Sequence, residues 1–183
     1  MSSRTVPTKS DHRSSPFPVV GIGASAGGLD AVMDFLAGLD PHTGMGFILL
    51  QHLEPHHESH LPEILSRETT MPVLHVKHGM RVEPDQFYVV PPNAMLTIAE
   101  GILQLSSRDE STQRNHGIDQ FFFSLAEDMG SAAIGIILSG SASDGAQGIR
   151  AIKCASGITF CQTEDSAKFG GMPHSAIATG AID

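Results

Sequence analysis

The sequence predicts an α/β fold in which a doubly wound, mostly parallel sheet is flanked by helices and carries one antiparallel hairpin. Short, continuously apolar segments alternate with segments whose apolar residues recur every three or four positions. The first kind is typical of strands buried on both faces, and the second is typical of amphipathic helices. Two runs of alternating polarity meet at Glu100–Gly101, which indicates the hairpin. Such a sheet places its functional site beyond the carboxyl ends of its strands, so residues directly after the apolar runs are the first candidates.

Each element follows from a local pattern. The first helix is predicted over 28–39, where Leu29, Val32, Met33 and Leu36 form one apolar face. Continuous apolar runs predict strands at 19–23, 46–51, 72–76, 86–90, 132–140 and 157–162. Helical spacing predicts further helices at 58–68, 118–130, 145–156 and 173–180, and the polar segment 106–117 is predicted as a loop.

Length and composition fit one globular domain of 183 residues, 40% hydrophobic and 17% charged. The Ser-rich, polar segment 1–16 is predicted as a disordered lead-in and not a secretion signal, so the domain spans 17–183. A net charge of -9 without a basic stripe argues against nucleic acid as a partner. No segment is apolar enough for membrane insertion, and the cysteines Cys154 and Cys161 fit a reducing cytoplasm.

The glycine-rich segment GIGASAGG, residues 21–28, lies between the first strand and the first helix. Its spacing is close to a dinucleotide-binding fingerprint, but the acidic residue expected after the second strand is replaced by Gln51–His52. The same segment contains G-x-S-x-G, a sharp turn that exposes a nucleophilic serine, here Ser25, at a helix N-terminus. The alternative is that Ser25 only caps the helix that follows.

Two further polar residues follow predicted strands. His52 comes directly after the strand at 46–51, where an imidazole could take the proton of the Ser25 hydroxyl and return it to the leaving group. Asp144 lies between a buried strand and a helix, where its carboxylate could orient His52. Taken singly, His52 could be an ordinary surface or core histidine, and Asp144 could be the N-cap of its own helix. Their shared position at one edge of the sheet favours a catalytic triad.

Five motifs, in chain order, resemble the catalytic domain of the chemotaxis protein-glutamate methylesterases (CheB type): GIGASAGG, LLQHL, DQFYVVPPN, LSGSASDGAQG and KFGGMPHSAIATGAID. The likeness runs from residue 17 to the end. The forms GASAGG, QHLEPHHES and SAIATG are most similar to methylesterase modules at the front of fusions with a methyltransferase and a sensor kinase. The resemblance implies that Ser25, His52 and Asp144 are the catalytic serine, histidine and aspartate.

The chain departs from the family pattern at two positions near these residues. Threonine often follows the family's serine, whereas Ala26 keeps the backbone N–H and lacks the hydroxyl. Where T-G-M-G-x-D is common, Ser141 replaces the methionine whose amide faces the oxyanion. The backbone N–H groups of Ala26 and Ser141 are therefore the candidate oxyanion donors. We expect no receiver domain ahead of residue 17, so phosphorylation-dependent control is not expected from this chain. The short apolar segment that follows GAID in the family is not part of the given sequence.

The resemblance implies an esterase that hydrolyses glutamyl γ-methyl esters on the cytoplasmic helices of chemoreceptors and that also deamidates glutamine. It implies no metal or organic cofactor, a cytoplasmic location, and methyltransferase and kinase modules of the same fusion as partners. The alternative is a catalytically weak or non-catalytic module that binds receptors or acts as a scaffold.

Two rival sites use other histidines. Ser25, Asp144 and His174 have the Ser…Asp…His order of α/β-hydrolases, although that fold normally has several strands before its nucleophile. The histidines at 52, 56, 57 and 60 include i,i+4 pairs that could bind zinc. Pro55 interrupts helical spacing there, and the metalloprotease motif is missing, which favours an exposed histidine-rich loop.

Overall fold

Strands and helices alternate along the chain except between the second and third helices, where five strands follow one another. The computed structural model describes residues 17–51, 60–107 and 116–183. In chain order the elements are β1 (Val19–Ala24), α1 (Gly28–Ala37), β2 (Gly46–Gln51), α2 (Leu61–Leu65), β3 (Val73–His75), β4 (Met80–Arg81), β5 (Gln86–Val89), β6 (Ala94–Ala99), β7 (Ile102–Ser107), α3 (Gly117–Met129), a 3-10 turn (Gly130–Ala132), β8 (Ala133–Ile137), α4 (Ala146–Cys154), β9 (Ile158–Cys161) and α5 (Gly171–Ala178).

The main sheet has six strands in the order β3-β5-β2-β1-β8-β9, and every neighbouring pair is parallel. β1 lies near the middle, between β2 and β8. Its last residue, Ala24, pairs with Gln51, the last residue of β2, and Gly23 pairs with Ile137, the last residue of β8. The three central strands therefore end side by side, and the segments that follow them share one edge of the sheet.

The hairpin forms a separate antiparallel sheet of three strands, ordered β4-β7-β6. Glu100 and Gly101 connect β6 to β7, and both have positive φ, 52° and 70°, as a two-residue turn of type I′ requires. Asp128 of α3 fixes this turn, because its carboxylate accepts the N–H groups of both turn residues. The third strand, β4, has two residues and was not predicted, since so short a segment has no periodicity to detect.

Helices cover both faces of the main sheet, which confirms the doubly wound prediction. On one face, Val20 and Ile22 of β1 pack in a cluster with α1 and α2. On the other face, a cluster joins α3 and α4 to the hairpin sheet, and its aromatic members Phe121 and Phe122 are fully buried.

No helix in the described ranges is long and apolar enough to cross a membrane. Cys154 and Cys161 are free thiols.

Two glycines of the glycine-rich segment allow close packing of β1 against α3, a role that the sequence did not indicate. Gly21 and Gly23 lie inside β1 and not in a loop, and α3 packs directly against their backbone. A Cβ at Gly21 would lie 2.7 Å from Cε1 of Phe122, and one at Gly23 would lie 2.6 Å from Cγ2 of Ile118. Gly27 does occupy the turn, with a φ of 66°. The first two glycines thus bring the backbone close to a helix, and the turn proper begins after Ala24.

Gly148→Ala is expected to destabilise the domain. The added Cβ would lie 2.4 Å from Cβ of Phe122, so α3 and α4 would have to move apart. Overpacking of this kind costs about 1–3 kcal/mol, against a gain in helix propensity of about 1 kcal/mol. Urea denaturation measures the difference. Gly38→Ala is the control, because its nearest neighbour is 3.7 Å away, and equal stability of the two variants would contradict this account.

Candidate active site

Ser25 lies at the tip of the turn that joins β1 to α1, and it is half-buried. Its N–H donates to the carbonyl oxygen of Ser139 at 3.0 Å, and its own carbonyl accepts the N–H of Gly28 at 2.9 Å. The N-cap of α1 is Gly27, and no side chain caps this helix. The alternative that Ser25 is only a helix cap is therefore wrong, and the backbone of Ser25 helps to hold the turn through these two bonds.

His52, like His56 and His57, lies outside the described part of the chain. It comes directly after Gln51, the last residue of β2, which pairs with Ala24 immediately before Ser25. Ser25 and Gln51 are thus found at the ends of two adjacent strands, and His52 is the next residue in the sequence. His60 is described, and it is an exposed residue just before α2. The zinc alternative depends mainly on residues outside the described ranges.

Asp144 is buried, with only 5% of its surface exposed, at the end of the loop between β8 and α4. Its carboxylate accepts two backbone N–H groups at the beginning of α3, from Ile118 to Oδ2 and from Asp119 to Oδ1, each at 3.0 Å. The alternative that Asp144 caps its own helix is wrong, because the N-cap of α4 is Gly145 and no side chain caps α4. Asp144 instead caps the neighbouring helix.

Asp119 is a buried carboxylate next to Asp144 that the sequence analysis missed. Its Oδ1 accepts the N–H of Gly148 at 2.7 Å, at the beginning of α4. Burial raises the pKa of the Asp119 carboxyl; the Gly148 bond lowers it, the negative charge of Asp144 raises it further, and His116 lowers it. The one local signal was an acidic residue in the first turn of a helix, which is too common to indicate a site.

His116 lies beside the two carboxylates. Its Nδ1 is 3.6 Å from Oδ2 of Asp119 and 3.9 Å from Oδ1 of Asp144, and about half of its side chain is exposed. These three residues offer ligand atoms within 4.8 Å of one another, a spacing that a metal ion could bridge. Both oxygens of Asp144 and one oxygen of Asp119 already accept N–H groups, so a cation would compete with the bonds that hold the helices.

Ser139 is a fully buried hydroxyl that joins the Ser25 turn to the chain around Phe169. Its Oγ donates to the carbonyl oxygen of Ala26 at 2.9 Å and accepts the N–H of Phe169 at 3.0 Å. Its backbone N–H donates to Oε1 of Gln162 at 2.9 Å. The sequence showed only a serine at the end of an apolar run. Its role depends on contacts with residues more than 20 positions away.

The candidate oxyanion donors lie on two facing loops. The N–H of Ser25 is already bonded to Ser139, so Ala26 provides the next N–H of the turn. In the loop after β8, the N–H groups of Ser139 and Gly140 are bonded to Gln162 and Phe169, and the next N–H belongs to the exposed residue Ser141. A Cβ at Gly140 would lie 3.0 Å from Cβ of Ser25, which shows how closely the loops approach.

His174 does not pair with Asp144 through its Nδ1. This side chain is 69% exposed on α5, and its Nδ1 lies 3.0 Å from Oε1 of Glu164. The Nδ1 atom of His174 thus contacts Glu164 at the surface, and the structure gives the Ser25–Asp144–His174 alternative no histidine–aspartate bond at that nitrogen.

Ser139→Ala is expected to lower both stability and activity. It leaves the Phe169 N–H and the Ala26 carbonyl without their buried partner, at a cost of about 1–3 kcal/mol in the free energy of unfolding. Urea denaturation measures this loss. Ser143→Ala, in the same loop but exposed, is the control and should differ little from wild type. Similar losses in the two variants would contradict the role given to Ser139.

The free energy of unfolding of Asp119→Asn, compared with that of wild type at the same pH, is expected to increase as pH rises from below 3.8 towards neutrality. In the folded protein burial raises the pKa of this carboxyl above its ordinary value of 3.8, so the folded state binds more protons than the unfolded state in that window. Wild type therefore loses stability as the carboxyl ionises, whereas the amide does not ionise. Urea denaturation from about pH 3.5 to 7 measures the difference. A difference that is constant with pH, or that changes in the opposite direction, would contradict the stated burial effect.

Known proteins match the chain over most of its length. The family model described as CheB methylesterase matches residues 20–183. The crystal structure of the Thermotoga maritima CheB methylesterase catalytic domain superposes with a TM-score of 0.83, at 25% identity, and the match covers 92% of this chain and 91% of that domain. The fold expected from the resemblance is therefore confirmed.

Relatives of known sequence are longer than this chain. A protein-glutamate methylesterase/protein-glutamine glutaminase of Myxococcus xanthus is 33% identical over 168 residues, which are 90% of this chain and 49% of that protein. One of Burkholderia lata is 36% identical over 166 residues, 88% of this chain and 46% of that protein. An uncharacterised 104.1 kDa protein of Rhodobacter capsulatus is 39% identical over 123 residues, 67% of this chain and 13% of that protein. The chain thus spans at most about half of these relatives, and it belongs to the CheB methylesterase family.

Proposed function

We propose that this domain is a protein-glutamate methylesterase that hydrolyses glutamyl γ-methyl esters by a Ser-His-Asp mechanism. The observation that carries the proposal is the convergence of three strand ends. Ser25 follows β1, residue 52 follows the paired end of β2, and the loop after β8 leads to the buried carboxylate of Asp144. Family membership and the names of the longer relatives support the same activity.

In this mechanism Ser25 Oγ attacks the ester carbonyl carbon and His52 accepts the hydroxyl proton. The tetrahedral intermediate then expels methanol, whose oxygen receives that proton from His52, and a glutamyl-serine ester remains. Water, deprotonated by His52, hydrolyses this ester and restores the Ser25 hydroxyl. Asp144 orients His52 and stabilises its imidazolium form. A glutaminyl side chain would pass through the same type of intermediate and release ammonia, so deamidation is a second expected reaction.

The negative oxygen of the intermediate needs donors that are already in place. The N–H groups of Ala26 and Ser141 are the proposed donors, because the N–H groups just before them, on Ser25 and Gly140, are bonded within the protein. Each such donor typically contributes on the order of 10²–10³ in rate. Because both donors are backbone groups, the replacement of the family's threonine and methionine by Ala26 and Ser141 leaves them present.

The proposed substrates are methylated glutamates on the cytoplasmic helices of chemoreceptors, and the proposed location is the cytoplasm. Methyltransferase and kinase modules are proposed as further parts of a longer protein, which the resemblance to fusion proteins supports. The net charge of -9 supports a protein substrate over nucleic acid.

Ser25→Ala is expected to lower methanol release from methylated receptor by at least about 10³-fold, because the covalent step needs the hydroxyl. Release of methanol from receptors carrying labelled methyl esters measures the rate. His52→Ala is expected to show a similar loss. His174→Ala is the matched control and should retain activity, since its imidazole is exposed and paired with Glu164.

Two results would overturn the proposal. Loss of activity in His174→Ala with retention in His52→Ala would give the base role to His174. Wild-type protein that binds receptor but releases no methanol, and that shows no burst with an activated ester, would instead favour the non-catalytic receptor-binding or scaffold module. The replaced side chains at Ala26 and Ser141 are the feature of the sequence that favours this second candidate.

A further inference from the structure

The beginnings of α3 and α4 exchange carboxylates. Asp144, two residues before α4, accepts N–H groups of Ile118 and Asp119 in the first turn of α3. Asp119, in that first turn, accepts the N–H of Gly148 in the first turn of α4. The first N–H groups of a helix have no partner within it, so each carboxylate satisfies donors that would otherwise need water.

These bonds close a ring through the two helices. Asp119 donates its own N–H to Asp144, the chain runs four residues on to Gly148, and the Gly148 N–H returns to Asp119. The ring is compact because Gly148 has no side chain where Phe122 packs against it. Both carboxylates are buried, with 6% of Asp119 and 5% of Asp144 exposed, so a shift in one changes the surroundings of the other.

We propose that Asp119 is a positioning residue for Asp144, which it holds in place by bonding the start of α4 to the start of α3. The inference rests on the proposed function, in which Asp144 orients His52. The N–H of Gly148 ties Asp119 to the helix that follows Asp144, so a shortened side chain at 119 frees the first turn of α4 and the loop before it. The Asp144 carboxylate then loses its fixed direction.

The charges around the ring agree with this role. Two negative groups lie side by side, and burial would be costly without compensation. Among the described residues, three features face the two carboxylates. They are the positive end of the α3 dipole, the positive end of the α4 dipole and the imidazole of His116. Asp119 therefore contributes an acceptor oxygen in a fixed place, and it adds a negative charge that the site must balance. An amide at 119 would keep the oxygen and remove the charge.

The test compares Asp119→Ala with Asp119→Asn, together with Asp128→Ala as the matched control. Asp128 is on the same helix, about 13 Å along the axis, and its carboxylate also accepts two backbone N–H groups. We expect Asp119→Ala to lower kcat for methanol release about tenfold to a hundredfold with little change in KM, since small displacements of a catalytic group have effects of this size. Asp119→Asn should restore kcat to within about threefold of wild type, because its oxygen can still accept the Gly148 N–H.

Asp128→Ala should lose stability and keep its kcat. Equal kcat in wild type and Asp119→Ala, or equal losses in Asp119→Ala and Asp128→Ala, would overturn the inference. Asp119→Ser, whose hydroxyl is too short to reach Gly148, replaces the alanine variant if that variant does not fold.

Amide hydrogen exchange at residue 118 decides the inference independently of catalysis, because this N–H is bonded to Asp144. Faster exchange in Asp119→Ala than in Asp128→Ala supports the positioning role, and unchanged exchange overturns it. If wild type itself releases no methanol, the proposed function is wrong, and the exchange measurement alone then decides whether Asp119 positions Asp144.

Discussion

The buried carboxylates of Asp119 and Asp144 lie where the first turns of α3 and α4 meet. Asp144, just before α4, accepts two N–H groups of α3, and Asp119 of α3 accepts an N–H group of α4. Burying two like charges side by side is costly, yet the positive ends of both helices point at them and His116 lies alongside. This interaction fixes the two helices relative to each other at the edge of the sheet where β1, β2 and β8 end. The Asp144 carboxylate is thereby held in a fixed place at this edge.

A second constraint is the lack of a side chain at two positions of β1 that face α3. Gly21 and Gly23 let α3 approach the strand so closely that a methyl group at either position would overlap it. The same helix carries Asp119 and, at its other end, the Asp128 carboxylate that holds the turn of the hairpin sheet. Helix α3 thus connects β1, the hairpin sheet and the pair of carboxylates Asp119 and Asp144.

Local patterns were enough to predict most of the fold. Apolar runs and helical spacing located the strands and helices, and the two alternating runs around Glu100–Gly101 predicted the hairpin, whose turn residues have positive φ in the structure. The rule about strand ends selected Ser25 and Asp144. Asp119 and Ser139 were missed because their roles arise from contacts with distant parts of the chain, such as Gly148 and Phe169, which leave no local pattern. For the same reason Asp144 was considered as a cap of its own helix, whereas it caps another.

The parallel pairing of β1 with β8 joins Val19 to Ala133, which are more than 100 positions apart in the sequence. Contacts between such distant positions form slowly, because a long loop must close before they add stability. During synthesis on the ribosome, β1 and its serine turn therefore emerge long before the strand that completes their surroundings. The nascent chain acquires the geometry of the site only after most of the domain has left the exit tunnel.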